Sequence, residues 1–506
     1  MLARVITFAI DGVDARRVEV EADIRPGLPA FTIVGLADTG VREARERVRS
    51  ALVNSGFEFP QRRITVNLAP ADLRKIGPSF DLPLAIAVLV AGGQLDQARL
   101  DGCAVVGELS LNGDLRSVRG ALAFAQAAIR EERERLLIPD RAAAEAALVP
   151  GVEVLAADSL RAAVAVLEGG EPVGPAVAPS PPAAAGVPRV DLADVRGQSA
   201  AVPALEVAAA GGHNLYLHGP PGTGKTMLAR RLATLLPALT RSEAIEVTRI
   251  HSVVGLHTRG ELVAERPFRA PHHTISAAGL VGGGSPPAPG ESTLAHHGVL
   301  FLDELSEFPR SSLEALRQPL EDGHVTIVRG QRTVVFPTRC MLVAASNPCP
   351  CGTSGPGCRC SGADLSRHRR KLSGPLLDRM DIVVAVERPT AVALREQRCP
   401  SSAAVRDRVE AARERQLARL RGHAVSCNAQ VPAGDLQALS AATTAALDLL
   451  ARLHDRHALS ARGQARVLRV ARTFADLADS ARVRPEHVLA AAALRHEADG
   501  TAGMAA

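Results

Sequence analysis

The sequence has few aromatic residues: its 506 residues include no Trp, one Tyr and 11 Phe. This scarcity argues against recognition of nucleic-acid bases by several stacking aromatic side chains. Charge of one sign is also lacking, because 59 Lys and Arg stand against 54 Asp and Glu, a formal net charge of +5. The composition excludes a histone-like or tail-driven basic protein, although it allows a local basic channel.

Long hydrophobic runs are missing as well. The longest, residues 82–93, falls short of the roughly 20 residues that a membrane helix needs. The chain starts directly with alternating strand-like residues, without the pattern of a signal peptide. Of the eight Cys, four lie within residues 349–360 and the others are scattered, unlike a disulfide framework. We therefore expect a cytoplasmic protein with no membrane partner.

The length and residue patterns predict an α/β protein of about three domains. Residues 171–190 are rich in Pro and Ala and predict a linker. Before them, residues 1–170 contain strand and helix patterns of an α/β domain, among them a helix with an N-cap at Asp38 and with Val41 and Val48 on its apolar face. After them, strands and helices alternate through residues 191–389, which indicates a parallel sheet. Helical spacing of Ala, Leu and Arg then predicts a helical domain at 390–506.

A glycine-rich loop lies between a predicted strand at 214–218 and a predicted helix at 227–236. This setting is the one that a phosphate-binding loop requires. Backbone N–H groups can curl around phosphates at the positive end of the helix. A chance Gly-rich turn is the alternative, and the flanking elements argue against it. The motif consists of Gly219, Pro220, Pro221, Gly222, Thr223, Gly224, Lys225 and Thr226.

Two adjacent carboxylates follow a second apolar strand, residues 298–302. Asp303 suits the coordination shell of Mg²⁺, together with the hydroxyl of Thr226, and Glu304 suits polarisation of an attacking water. Such a pair is more often a solvated turn. Its occurrence downstream of a phosphate loop favours a nucleotide site that uses ATP and Mg²⁺ as its cofactors.

Two more polar residues fit hydrolysis. Asn347 follows a strand predicted at 340–345, where it could orient the water beside Glu304. Arg379 lies at a predicted helix end, where it could serve a neighbouring subunit as an arginine finger. A cap or a surface ion pair explains each of them equally well.

With these motifs in order, the chain resembles AAA+ ATPases, and further segments resemble the magnesium-chelatase-like ComM/YifB family. These segments are GGHN at 211–214, RPFRAPHH at 266–273, PGE at 289–291, RQPLEDG at 317–323 and NPCPCG at 347–352. The resemblance covers nearly the whole chain. It implies an AAA+ P-loop core, a C-terminal helical lid and a homo-hexameric ring. The site residues that it implies are Lys225 and Thr226 (Walker A), Asp303 and Glu304 (Walker B), Asn347 (sensor 1), Arg379 (finger) and Arg462 (sensor 2).

The N-terminal segment resembles the S5-like domain that Lon proteases also carry. Ser79 lies in a segment similar to the one that holds Lon's catalytic Ser. That nucleophile needs a Lys as its base, and Leu122 occupies the corresponding position here. We therefore predict that residues 1–170, a ChlI-type domain, are proteolytically inert.

A strand–turn–strand pattern spans residues 323–336 and carries Arg329 and Arg332 at its tip. In this AAA+ branch the hairpin faces the central pore, so the resemblance favours phosphate contacts with DNA over a merely solvated loop. A second basic run, Arg367–Lys371, could line the same path or form a charged helix face.

The cysteines Cys349, Cys351, Cys358 and Cys360 provide four soft ligands within twelve residues. Four thiolates could close a tetrahedral Zn²⁺ site, although the C-x-C spacing is tighter than usual. Reduced thiols that shape a loop are an equally good interpretation.

The leading functional hypothesis is a ring-forming ATPase that moves single-stranded or branched DNA and drives branch migration, in recombination or DNA uptake. The DNA substrate is implied by the family resemblance. The alternative is a magnesium-chelatase-like motor that remodels proteins. A Lon-type peptidase is disfavoured because the base is missing.

Overall fold

Strands and helices alternate along most of the chain in the computed structural model. The model describes residues 2–36, 38–174, 190–256, 260–329, 332–353, 357–371, 374–396, 398–457 and 460–503. The strands are β1 Leu2–Asp11, β2 Asp14–Arg25, β3 Ala30–Val34, β4 Arg63–Ala69, β5 Cys103–Val105, β6 Glu108–Leu109, β7 Leu115–Arg116, β8 Arg135–Pro139, β9 Glu153–Ala157, β10 Leu215–His218, β11 Phe268–Arg269, β12 Gly282–Gly283, β13 Ala288–Pro289, β14 Val299–Leu302, β15 His324–Arg329, β16 Arg332–Pro337, β17 Met341–Ser346 and β18 Ile382–Ala385.

The helices are α1 Thr39–Asn54, α2 Asp81–Ala91, α3 Ala121–Arg130, α4 Asp140–Ala146, α5 Leu160–Leu167, α6 Ala201–Gly211, α7 Lys225–Leu235, α8 Arg241–Val254, α9 Ala277–Val281, α10 Glu291–Leu294, α11 Arg310–Ala315, α12 Arg317–Asp322, α13 Gly362–Lys371, α14 Gly374–Leu377, α15 Ala391–Glu396, α16 Ser402–Arg419, α17 Leu436–Ser440, α18 Thr444–His457, α19 Ala461–Leu477 and α20 Pro485–Gly503. Within the described residues, no helix is both long and apolar enough to span a membrane.

The chain divides into two compact units. The first comprises Met1–Ala184 and Thr240–Ala264, and the second comprises Ala185–Leu239 and Glu265–Ala506. Helix α8 thus groups with the N-terminal unit, although it follows the phosphate loop in the chain. The hydroxyl of Ser252 in α8 accepts a hydrogen bond from the N–H of Gly120 at 3.0 Å.

The N-terminal unit is built on a mixed sheet of order β3-β4-β2-β1-β5-β8-β9. Strands β1, β2 and β4 pair antiparallel, whereas β5, β8 and β9 continue the sheet in parallel. Helix α2 is buried along its whole length and forms the centre of the core. Helix α1 confirms the predicted capping, because the Asp38 carboxylate accepts the N–H of Val41 at 2.8 Å.

The second unit contains a fully parallel sheet of order β11-β14-β17-β10-β18. Every residue of β14 and β17 is buried, as expected when helices cover both faces of a parallel sheet. The predicted strands at 298–302 and 340–345 are therefore confirmed. Strands β10, β14 and β17 lie side by side, so the loops at their carboxyl ends converge at one edge.

The C-terminal part of this unit, from Ala391 onward, is helical in its described regular elements, as predicted. Helix α19 packs against α20, α16 and α6. Its buried Val467, Val470 and Ala471 join the hydrophobic core that also contains Leu215 and Leu217 of β10. The helices and the parallel sheet are thus stabilised by one shared core.

Candidate functional site

The glycine-rich loop curls between β10 and α7 with conformations that require glycine. Gly222 and Gly224 have φ values of 76° and 91°, in the left-handed region. A Cβ on Gly219 would lie 2.1 Å from the carbonyl oxygen of Val386. Helix α7 begins at Lys225, two residues before the predicted start. The loop therefore ends at a helix N-terminus, where free N–H groups favour a phosphate.

The first two residues of α7 link the loop to the neighbouring strands. The Lys225 ammonium donates to the carbonyls of Gly219 at 2.7 Å and Pro220 at 2.8 Å, and to Oδ1 of Asn347 at 3.1 Å. Burial lowers the pKa of Lys225, and the charge of Asp303 opposes this shift. The lysine thus contacts the residue proposed to orient water.

A hydroxyl and a carboxylate meet at the end of β14. The Thr226 hydroxyl donates to Oδ2 of Asp303 at 2.6 Å. Oxygen ligands of these two types are those that Mg²⁺ prefers. The structure therefore brings together a pair that the sequence separates by 77 residues.

Glu304 occupies a special turn next to this pair. Its φ is 52°, which is uncommon for a residue other than glycine, and its N–H donates to Oδ1 of Asp303 at 2.9 Å. The carboxylate of Glu304 is 58% exposed, so water can reach it.

A histidine with no role predicted from the sequence lies next to this carboxylate. Nδ1 of His273 lies 3.5 Å from Oε2 of Glu304. The His273 ring also packs 4.1 Å from the ring of His272 and edge-on to Phe308. His272 and His273 are adjacent in the segment 266–273. Their position in the sequence does not predict that His273 lies next to the carboxyl end of β14.

Asn347 immediately follows β17, between β10 and β14. Its backbone carbonyl accepts a hydrogen bond from Nε2 of the buried His368 at 3.0 Å. The preceding residue, Ser346, bonds through its side chain to the hydroxyl of Tyr216. The first contact holds the carbonyl of Asn347, and the second holds the residue that precedes it.

The two arginines predicted as finger and sensor 2 have different environments. Arg379 follows α14, is largely buried and pairs with Glu321 of the same chain. Arg462 lies in the first turn of α19, which begins at Ala461. Its side chain is exposed. None of these contacts tests the predicted finger role of Arg379 or the predicted sensor-2 role of Arg462.

The predicted hairpin is confirmed as the antiparallel pair β15–β16, in which Arg329 stands opposite Arg332. The side chain of Arg329 is exposed. The second basic run lies in α13. His368 is buried there, and the Lys371 ammonium lies 3.4 Å from a carboxylate oxygen of Glu307.

The four clustered cysteines come together in space. Their sulfurs all lie within 4.8 Å of one another. The Cys349–Cys351, Cys351–Cys358 and Cys349–Cys358 distances between Sγ atoms are 3.3, 3.6 and 3.7 Å. Hydrogen bonds from backbone N–H groups of Thr353 and Arg359 lower the pKa of Cys351 to about 5. The cluster therefore provides soft donors in one place.

In the N-terminal unit, the two residues compared with Lon proteases have different environments. Ser79 is partly exposed in the short 3₁₀ turn Pro78–Phe80, whereas Leu122 is fully buried in α3. The Lys75 ammonium donates to the carbonyl of Pro70. The absence of peptidase activity stays a prediction.

Comparison with known proteins matches three consecutive parts of the chain to families that all describe one magnesium chelatase subunit. Families described as subunit ChlI of Mg-chelatase, magnesium chelatase subunit ChlI, and magnesium chelatase subunit ChlI C-terminal match residues 20–142, 191–394 and 400–495. Lon protease 2 of Bacillus subtilis is 31% identical over 141 residues, 26% of this chain and 25% of that protein. The chain therefore combines an S5-like α/β domain, an AAA+ core and a helical lid, as predicted.

Full-length relatives narrow this assignment. Protein YifB of Escherichia coli strain K12 is 44% identical over 498 residues, covering 98% of this chain and 97% of YifB. Competence protein ComM of Haemophilus influenzae is 43% identical over 500 residues, with coverage of 98% and 97%. From the phosphate loop, the carboxylate pair and these matches, the chain belongs to the ComM/YifB family of magnesium-chelatase-like AAA+ ATPases.

Proposed function

We propose that this chain is the subunit of a homo-hexameric ring that hydrolyses ATP to move along DNA in the cytoplasm. Its task would be branch migration of recombination intermediates, including those formed after DNA uptake. The observation that carries this proposal is the convergence of Lys225, Thr226, Asp303 and Asn347 at one sheet edge. The relative named competence protein ComM supports a role connected with DNA.

In this proposal each residue has a separate task. The N–H groups of residues 219–226 and the Lys225 ammonium bind the phosphates. Thr226 and Asp303 hold Mg²⁺, which supplies positive charge to the phosphate oxygens. Glu304 accepts the proton of the attacking water, and Asn347 orients that water.

Two arginines would complete the site in the ring. Arg379 would exchange Glu321 for the nucleotide of a neighbouring subunit, as an arginine finger does. Arg462, exposed at the start of α19, would contact the γ-phosphate from the lid. The finger role of Arg379 requires subunits in contact, so the proposal includes an oligomeric enzyme.

The DNA contact is proposed for the β15–β16 hairpin. Its tip brings two arginines into register, and Arg329 is exposed. Arginines at such a tip can neutralise phosphates without reading bases, which agrees with the shortage of aromatic residues. The basic run in α13 is the weaker candidate, because His368 is buried and Lys371 is near Glu307.

We also propose that the cysteine cluster binds one Zn²⁺ as a structural site. A Zn–S distance of about 2.3 Å in a tetrahedron places sulfurs roughly 3.8 Å apart. Three of the sulfur–sulfur separations, at 3.3 to 3.7 Å, are close to this value, and all four sulfurs lie within 4.8 Å of one another. The N–H of Cys351 also points at the sulfur of Cys360, at 3.4 Å, as donors often do toward metal-bound thiolates.

ATPase rates measured without DNA and with single-stranded, duplex and four-way-junction DNA test the proposed substrate. We expect stimulation, strongest with the junction. If no DNA changes the rate, the DNA proposal fails and the protein-remodelling alternative gains support.

The double variant Arg329→Ala/Arg332→Ala should weaken DNA binding. The slope of log affinity against log salt concentration should flatten by roughly 0.7 to 0.9 for each lost phosphate contact. ATP affinity should stay unchanged. Arg310→Ala, which removes an exposed arginine paired with Glu314, is the control. Parental DNA binding by the double variant would remove the hairpin from the proposal.

A further inference from the structure

The described residues that carry the four cysteines, 349–353 and 357–360 (the cysteine knuckle), begin shortly after the end of β17. Asn347, two residues before its first cysteine, accepts a hydrogen bond from Lys225 at 3.1 Å. Cys349 itself is only 2% exposed. One end of the knuckle therefore lies two residues along the backbone from Asn347, whose side chain contacts Lys225.

A second contact joins the knuckle to the phosphate loop itself. Gly352 has a φ of 79°, and a Cβ built there would lie 2.7 Å from Cδ of Pro221. The backbone of Gly352 therefore packs closely against the proline ring, with no room for a side chain. Pro221 lies between Gly219 and Gly222, in the part of the loop that must curl around phosphates.

The far end of the knuckle returns to the same place. Helix α13 follows Cys360, and its buried His368 bonds to the carbonyl of Asn347 at 3.0 Å. The knuckle is thus attached to Asn347 from both of its ends, and Gly352 near its beginning packs on Pro221. A change in the knuckle's shape would move groups that touch the ATP site.

We propose that a soft divalent metal, Zn²⁺, bound by the four cysteines holds the phosphate loop in its nucleotide-binding shape. Metal occupancy then sets the affinity for ATP. This inference rests on the zinc site proposed above, and adds that this site is a support for the phosphate loop.

Metal binding would raise the affinity for ATP because it adds restraints to the backbone of the knuckle. Four metal–sulfur bonds would fix the backbone on either side of Gly352, since Cys349 and Cys351 precede it and Cys358 and Cys360 follow it in the chain. Four thiols without metal provide only weak contacts between sulfurs. Without metal the knuckle loses the restraint that presses Gly352 against Pro221, and the loop must be ordered by ATP itself.

The test combines metal analysis of the purified full-length protein with titration of a fluorescent ATP analogue. The parent should contain one zinc per chain. Removal of zinc with a chelator should lower the analogue's affinity by about tenfold or more, because ordering the loop then opposes binding. Added zinc should restore the affinity, and this measurement requires no variant to fold.

Variants separate the metal from its effect. Cys351→Ser/Cys358→Ser should lose both zinc and affinity. Gly352→Ala should keep zinc but lose affinity, because its Cβ collides with Pro221. Gly362→Ala is the matched control, since a Cβ there meets nothing within 4 Å.

The possible failures are distinct. A parent protein without zinc overturns the metal site. If zinc is present but chelation and Gly352→Ala leave the affinity unchanged, the site is structural and the coupling to ATP is wrong. A parent that binds zinc but no ATP analogue contradicts the proposed ATPase itself.

Discussion

Replacement of Glu304 by Gln should separate ATP binding from ATP hydrolysis. Glutamine has nearly the same shape, and the backbone bond from residue 304 to Asp303 at 2.9 Å does not involve the changed side chain. The contacts of Lys225 and the Thr226–Asp303 pair also remain. ATP affinity should therefore stay within about twofold of the parent.

Hydrolysis should fall steeply, because an amide cannot accept the proton of the attacking water. Loss of a positioned general base reduces rates by roughly 10²- to 10⁴-fold. At 1.36 kcal/mol per tenfold, this corresponds to about 2.7–5.4 kcal/mol in the activation free energy. The exposed Glu304 carboxylate has few other contacts to lose, apart from His273 at 3.5 Å.

The assay is steady-state phosphate release together with titration of a fluorescent ATP analogue. Glu307→Gln is the matched control, since that carboxylate is 49% exposed and lies 3.4 Å from the Lys371 ammonium. An exposed pair contributes at most about 1 kcal/mol, so this variant should hydrolyse ATP normally. Hydrolysis by Glu304→Gln within tenfold of the parent, or an equal loss in Glu307→Gln, would refute the assignment of the base.

The other predictions concern residues around this centre. Arg379→Ala alone should lose ATPase activity. Mixing it with the Lys225→Ala variant should restore part of that activity, because some interfaces then pair an intact site with an intact finger. No recovery in verified mixed rings argues for a structural role of Arg379. His273→Ala should lower kcat with little effect on ATP affinity, since among the site residues the imidazole contacts only the Glu304 carboxylate; an unchanged kcat contradicts this. Thr226→Val should weaken Mg²⁺-dependent ATP binding and Thr226→Ser should not, as magnesium titrations can measure.

Local signals were sufficient to predict several elements of the fold. Helix α1 was visible from its cap at Asp38 and its apolar face, and Val41 and Val48 are indeed fully buried. Strand β14 was visible as an apolar run before two carboxylates. These features depend on neighbours within a few residues, which the sequence displays directly.

Contacts between distant segments could not be predicted in this way. His273 and Glu304 meet because β11 and β14 are adjacent in the sheet, and strand order is a property of the whole fold. Arg379 was predicted at a helix end, but its partner Glu321 lies 58 residues earlier. Likewise, nothing in the Gly-rich spacing of the cysteine segment identified Pro221 as the neighbour of Gly352.

The order of the parallel strands explains why the cysteines lie where they do. Strand β17 is placed between β14, which ends at the carboxylates, and β10, which leads into the phosphate loop. Whatever leaves the carboxyl end of β17 must therefore pass between these two groups. Asn347 is the first residue to do so, and the cysteine knuckle follows after Pro348. A restraint on the knuckle would thus act on the Asn347 amide and on the phosphate loop together. The same four cysteines after β18, at the sheet edge, would adjoin only β10.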